Sequence, residues 1–201
     1  NFKNENSKQL EIILTNYMKI LNAQGKYKET LSIFENTNGA KGFELSEDNY
    51  LNYFTEWLKA LFNTGDYETY CSFLNQILML ESDNPTVKLF ACNDLLKVLT
   101  LTEQNSSLVY KCLDFLKDMH KKYPHGKHTV QVINNIIFTS LELGEPIPQN
   151  LLNDFIPTIP LHPCNTATYG LYLIKIKHNA ERGLSYYDSA MVMAQKDSKF
   201  A

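Results

Sequence analysis

Residues 10–34, LEIILTNYMKILNAQGKYKETLSIF, and residues 50–74, YLNYFTEWLKALFNTGDYETYCSFL, carry one pattern twice. In each, an apolar block runs into a short polar turn with a central glycine, an aromatic follows two residues later, and a second apolar block begins. Counted from Gly25 and Gly65, Leu14 matches Phe54, Tyr17 matches Trp57, Met18 matches Leu58 and Leu21 matches Leu61. Offsets of three and four place these side chains on one face of a helix. Glycine takes the left-handed conformation that closes a helix C-terminus without steric penalty, so Gly25 and Gly65 are expected to stop the first helix. Tyr27, Leu31 and Phe34 then match Tyr67, Cys71 and Leu74 as the start of a second helix. Each stretch reads as a helical hairpin.

Outward from this pair the pattern continues. Turns are expected around Gly25, Gly65, Asn105, Gly144 and Gly183, at separations of 40, 40, 39 and 39 residues. A constant period of this size marks a repeat architecture, in which each unit buries its apolar face by stacking on its neighbours. The predicted repeats span roughly 8–40, 48–82, 86–122, 128–158 and 165–199, within a single helical-repeat domain covering 1–201. The predicted fold is all-α, a right-handed α–α superhelix, or solenoid, of about five hairpins with a period of about 40 residues. Five of the seven prolines, Pro146, Pro148, Pro157, Pro160 and Pro163, crowd the fourth hairpin. Proline inside a helix removes a donor and clashes with the preceding turn, so FIPTIPLHPCN is expected to be an extended connector and the place for a bend. Tyr186 and Tyr187 are adjacent and cannot both face inward, which makes one of them a candidate contact.

Composition agrees with helices. Hydrophobic residues are 44% of the 201-residue chain and charged residues 20%, the reverse of a disordered segment. Twelve Tyr and eleven Phe stand beside only eight Gly and seven Pro, too little punctuation for many short strands. The net charge of −3 supplies no global field for nucleic acid or anionic membrane. No apolar run reaches the roughly 18 residues of a membrane span, so no membrane insertion is expected. Cys71, Cys92, Cys112 and Cys164 form no CxxC pair, and free thiols in a reducing intracellular compartment, the cytoplasm or the mitochondrial matrix, are expected. The chain begins at Asn1 and reads as a fragment or processed form of something longer.

The helix, glycine turn and following aromatic of LNAQGKYKETLSIFEN and LFNTGDYETYCSFLNQIL resemble the tetratricopeptide and pentatricopeptide superfamily of helical hairpins. The period here is longer than in those families, and Leu31 or Cys71 holds their small-residue packing position. The resemblance implies a non-catalytic scaffold that binds a partner protein or peptide through the concave face of its first helices or through an array end. The alternatives it implies are an organellar pentatricopeptide-type binder of single-stranded RNA and the helical arm of a multisubunit assembly. Thr15, Asn16, Thr55, Glu56, Asn93, Asn134 and Asn135, polar residues beside the apolar stripes, are the groove-lining candidates. In the RNA-reading families a polar side chain on each first helix reads a base, and Thr15, Thr55 and Asn134, each ten residues before its glycine, would take that part.

The run KDMHKKYPHGKH carries Lys117, Lys121, Lys122, Lys127 and His128, a basic patch suited to phosphate or an acidic partner, and equally the signature of a helix C-terminus whose dipole favours cations. The spacing of His120, His125 and His128 matches no zinc pattern, so no metal or other cofactor is expected. There is no GxSxG elbow, no phosphate-cradling glycine loop and no cysteine in a recognisable histidine context, and no small-molecule substrate is evident. The sequence predicts no catalytic residues.

Overall fold

The structure, a computed structural model, describes residues 2–37, 47–80, 85–99 and 106–196. Among these every regular element is helical and no strand occurs, as the apolar spacing predicts. The chain forms two compact units, Asn1–Leu101 and Thr102–Ala201. The division falls inside the predicted third hairpin, and its turn at Asn105 lies outside the described residues.

The first unit opens with α1 (Phe2–Ala23) and α2 (Tyr27–Asn36). Gly25 between them has φ +72, and Gly65 has φ +78, the left-handed values expected at a helix end. The next helix is compound: a single turn, α3 (Glu47–Asn49), a π-helical segment Tyr50–Phe54, then α4 (Thr55–Thr64). Thr55 Oγ1 donates to the carbonyl of Tyr50 at 2.7 Å across this wide turn. After Gly65, α5 (Tyr67–Met79) is capped by Asp66, which accepts from the Thr69 amide at 3.1 Å, and α6 (Pro85–Leu99) follows.

The centre of this unit is aromatic. Phe34 of α2 stacks on Trp57 of α4, with centroids 4.1 Å apart and planes 6° from parallel, and on Tyr53 at 5.2 Å. Phe73 of α5 meets Trp57 edge-on at 4.8 Å and stacks on Phe54 at 5.4 Å. Each such pair contributes roughly 0.5–1.5 kcal/mol beyond simple burial. Two polar ties cross the same packing. Asn22, buried at the end of α1, donates to the backbone carbonyl of Glu56 at 2.9 Å and to its carboxylate at 2.8 Å, and accepts from Thr30 of α2 at 2.9 Å. Thr37 and Tyr53 share a hydroxyl hydrogen bond of 2.7 Å.

In the second unit α7 (Ser106–Lys122) packs on α8 (Thr129–Leu143), which ends at Gly144 with φ +70. A short α9 (Gln149–Phe155) runs directly into a 3₁₀ helix, Ile156–Leu161, and Pro163 begins α10 (Pro163–Lys175). The expected extended connector is therefore corrected to a nearly continuous helical path. Proline's fixed φ suits the first turn of a helix, where Pro157 and Pro163 lie, and the 3₁₀ segment accommodates Pro160. Lys175 ties α10 to the end of α8, donating to the Leu141 carbonyl at 3.2 Å and pairing with Glu142 at 3.0 Å.

The expected turn at Gly183 is also corrected. Gly183 lies buried inside α11 (Ala180–Lys196), and the turn falls earlier, at His178 with φ +51. Gly183 instead faces Gly170 of α10. A Cβ on Gly183 would come within 2.8 Å of the Gly170 carbonyl and 2.4 Å of Ile174 Cγ1, while a Cβ on Gly170 would meet the Gly183 carbonyl at 2.7 Å. These two positions lack side chains because the helix backbones are nearly in contact there.

Candidate interaction surfaces

The predicted groove residues do not form one exposed ladder. Thr15 and Asn134 are buried, and neither the Thr15 hydroxyl nor the Asn134 carbonyl oxygen has a hydrogen-bond partner among the described residues. The Asn134 amide donates to Asn135 at 3.3 Å. Thr55 is half-buried with its hydroxyl on its own backbone, and Glu56 accepts from Asn22. Asn16 is exposed, whereas Asn93 and Asn135 are half-buried and engaged. Of the three positions offered as base readers, two are therefore inside the helix packing and the third is bonded locally. Their polar type sits at core-facing spacing, a distinction that residue identity alone does not carry.

The basic run ends α7 and forms the turn to α8. Lys117, Lys121, Lys122 and Lys127 are exposed, with Lys122 Nζ 5.3 Å above the Tyr123 ring, and His128 is half-buried at the start of α8. Three cationic-type side chains, His120, Lys121 and Lys122, stand in the last turn, where the helix dipole favours positive charge. The turn itself is held by Thr129, whose hydroxyl donates to the Gly126 carbonyl at 2.9 Å. Among the described residues no group of three His, Cys, Asp or Glu side chains is arranged to hold a metal ion. None of the four cysteines is in a disulfide; Cys92 and Cys112 are buried, Cys71 half-buried and Cys164 exposed.

A polar cluster absent from the sequence reading lies in the first unit. Tyr50 donates to the Asp94 carboxylate at 2.7 Å, Tyr70 donates to the Asp94 backbone carbonyl at 3.2 Å, and Lys97 pairs with the other carboxylate oxygen at 2.6 Å. Burial, reinforced by the Asp94 charge, pushes both phenols far above their ordinary range. The visible signal was Asp94 followed three residues later by Lys97 on a largely apolar helix. With two buried phenols held neutral and Lys97 largely exposed, the cluster joins α5, α6 and the π turn.

The remaining prominent features are apolar and on the surface. On α1, Leu10, Ile13, Tyr17 and Ile20 are exposed, along a row spaced three, four and three residues. On α11, Leu184 and Met191 are exposed on either side of a half-buried Tyr187. Tyr186 turns instead toward Tyr169, edge-on at 5.0 Å. No helix among the described residues is long and apolar enough to cross a membrane. Comparison with protein-family models, with curated proteins and with solved structures finds no match to this chain.

Proposed function

We propose that the chain is a non-catalytic helical scaffold of stacked hairpins, arranged as a solenoid, which binds partner proteins through apolar helix faces. The observation that carries this reading is the exposed row on α1. Isolated surface leucines and isoleucines are ordinary, but four large apolar side chains in one row are the feature by which helices dock. Of the polar residues that could have supplied a groove, Asn16 alone is exposed, and the others are buried or half-buried in the packing of their own units. The sequence resemblance of residues 10–34 and 50–74 to tetratricopeptide hairpins supports the same class of function, as an analogy.

A photoreactive residue at position 13, compared with one at the exposed Lys19 on the polar side of α1, tests this in extract from a cell that makes the protein. Adducts with other proteins are expected from position 13 and not from position 19. A mobility assay with single-stranded RNA across a salt series bears on the rival reading, for which the exposed lysines of the α7–α8 turn supply clustered positive charge. Salt-dependent RNA binding together with an absence of protein adducts would replace the scaffold reading, since phosphate contacts by lysine release counterions and weaken steeply with salt.

A further inference from the structure

The tip of the α7–α8 hairpin holds more positive charge than its local structure uses. From Lys117 to His128 stand four lysines and three histidines against one acid, Asp118. Counting histidines as neutral, four lysines less one aspartate give +3, and because the chain as a whole carries −3 the rest of it carries −6. A helix dipole, equivalent to about half a charge and felt within the last turn, gives Lys121 and Lys122 a local reason to be there. Lys117 lies more than a turn before the end of α7 and Lys127 lies beyond it, so neither has that reason.

All four lysines are exposed, and none pairs with a described carboxylate, the ion pairs among the described residues being Lys97–Asp94 and Lys175–Glu142. Asp114 and Asp118, exposed on the same helix, leave them unpaired. Lys117 and Lys121 are four residues apart, which puts them in one row of α7 with β-carbons about 5–6 Å apart. The turn that follows is fixed by its own hydrogen bonds. Thr129 donates to the Tyr123 carbonyl at 3.2 Å and to the Gly126 carbonyl at 2.9 Å, and the Gly126 amide donates to the Tyr123 carbonyl at 3.3 Å. The backbone that carries the charges is therefore in place before any partner arrives.

We infer that this tip docks an acidic helical segment of a partner protein, with carboxylates four residues apart meeting Lys117 and Lys121 while Lys122 and Lys127 add to the attracting field. The inference takes its class of partner from the scaffold reading and adds a surface that the reading does not use. Two observations favour carboxylates over nucleic acid or an anionic bilayer. The tip has no arginine, the side chain whose planar fork pairs with phosphate, and Arg182, the only one in the chain, is in α11. The positive area is one hairpin tip on a chain otherwise at −6, so a long polyanion or a flat membrane running past it meets like charge, whereas a short acidic segment engages the tip alone.

The purified chain is tested against three probes at low and at physiological salt. Fluorescence anisotropy follows a labelled alanine-rich helical peptide with glutamates four residues apart and a labelled poly(U) RNA, and co-sedimentation follows phosphatidylserine vesicles. The peptide is expected to bind, and less tightly as salt screens the charges. Lys117→Gln with Lys121→Gln should weaken it roughly five-fold, the scale of two exposed ion pairs. Lys26→Gln with Lys28→Gln, the same charge change at the α1–α2 turn, should leave it within about two-fold. Circular dichroism verifies the helix content of both variants, and Lys127→Gln, outside any helix, reads the same surface with an expected loss of about two-fold. Three results would overturn the inference: no binding of the peptide, equal losses in the two double variants, or RNA or vesicles held more tightly than the peptide at physiological salt. Protein adducts from position 13 that persist beside any of these would leave the scaffold reading in place, and peptide binding without such adducts would remove the apolar faces from that reading and keep the tip.

Discussion

The seam between α2 and α4 and the seam between α10 and α11 join helices by opposite means. In the first, rings fill the space: Phe34 lies between Tyr53 and Trp57, with Phe54 edge-on at 6.1 Å. In the second, side chains are missing, and Gly170 and Gly183 let two backbones approach until no Cβ fits. Packing at crystal-like density can be reached by complementary bulk or by removing bulk altogether. The two solutions fail differently, since the aromatic seam is weakened by deletion and the glycine seam by addition.

The largest expected effect breaks the aromatic seam. Phe34→Ala removes a ring with partners on several sides and should cost about 3–5 kcal/mol, read as a shift of the urea midpoint, whereas Phe34→Leu should lose much less. A cost for Phe34→Ala below about 1 kcal/mol would mean that the rings repack and that the seam is not a close fit. Next comes the glycine seam. Gly183→Val places methyl groups against Ile174 and the Gly170 carbonyl and should destabilise by roughly 1–3 kcal/mol, although valine has ordinary helix geometry. The same change at an exposed position of α11, such as Ser189, should cost under about 1 kcal/mol, and equal costs at the two sites would dissolve the contrast.

The smallest effect separates hydroxyls from rings in the first unit. Tyr70→Phe keeps the ring and removes the bond to the Asp94 carbonyl, with an expected cost of about 0.5–1.5 kcal/mol. Its clearer signature is pH. The folded state holds the Tyr50 and Tyr70 phenols above the unfolded value of 10.0, so the stability they contribute is fully present below that pH. It is lost as pH rises above 10, because the unfolded chain then releases protons that the folded chain retains. Tyr70→Phe should make the alkaline fall shallower, as measured by denaturation at a series of pH values, and an unchanged slope would place the titration elsewhere.

Much of the helical layout was legible in the spacing of apolar residues, and the left-handed turns at Gly25, Gly65 and Gly144 followed from what glycine alone does easily. The last turn was hidden because His178 takes the same conformation without being glycine, an uncommon choice for a residue with a Cβ. Gly183 then misled, since a glycine required by a neighbouring backbone looks in sequence like a glycine required by a turn. The proline-rich segment misled for a related reason, because proline excludes helix interiors but suits first turns. Of the surface features, the basic run and the apolar residues of α1 were visible, but not the difference between them and their buried counterparts. Tyr17 and Trp57 occupy equivalent places in the spelling and opposite places with respect to solvent, and only the presence of α2 against one of them makes that difference.

The π segment Tyr50–Phe54 has a bearing on how such a chain is aligned with itself. Helix α1 is α-helical throughout Phe2–Ala23, while its counterpart includes one wide turn. A wide turn takes up more residues per revolution, so equal distances along the two chains stop being equal angles on the N-terminal side of it. Within that turn Tyr50 reaches Phe90 and Asp94 of α6 while Tyr53 reaches Phe34 of α2. The first two hairpins thus keep equal spacing between Gly25 and Gly65 while differing in phase, and one helix addresses two neighbours.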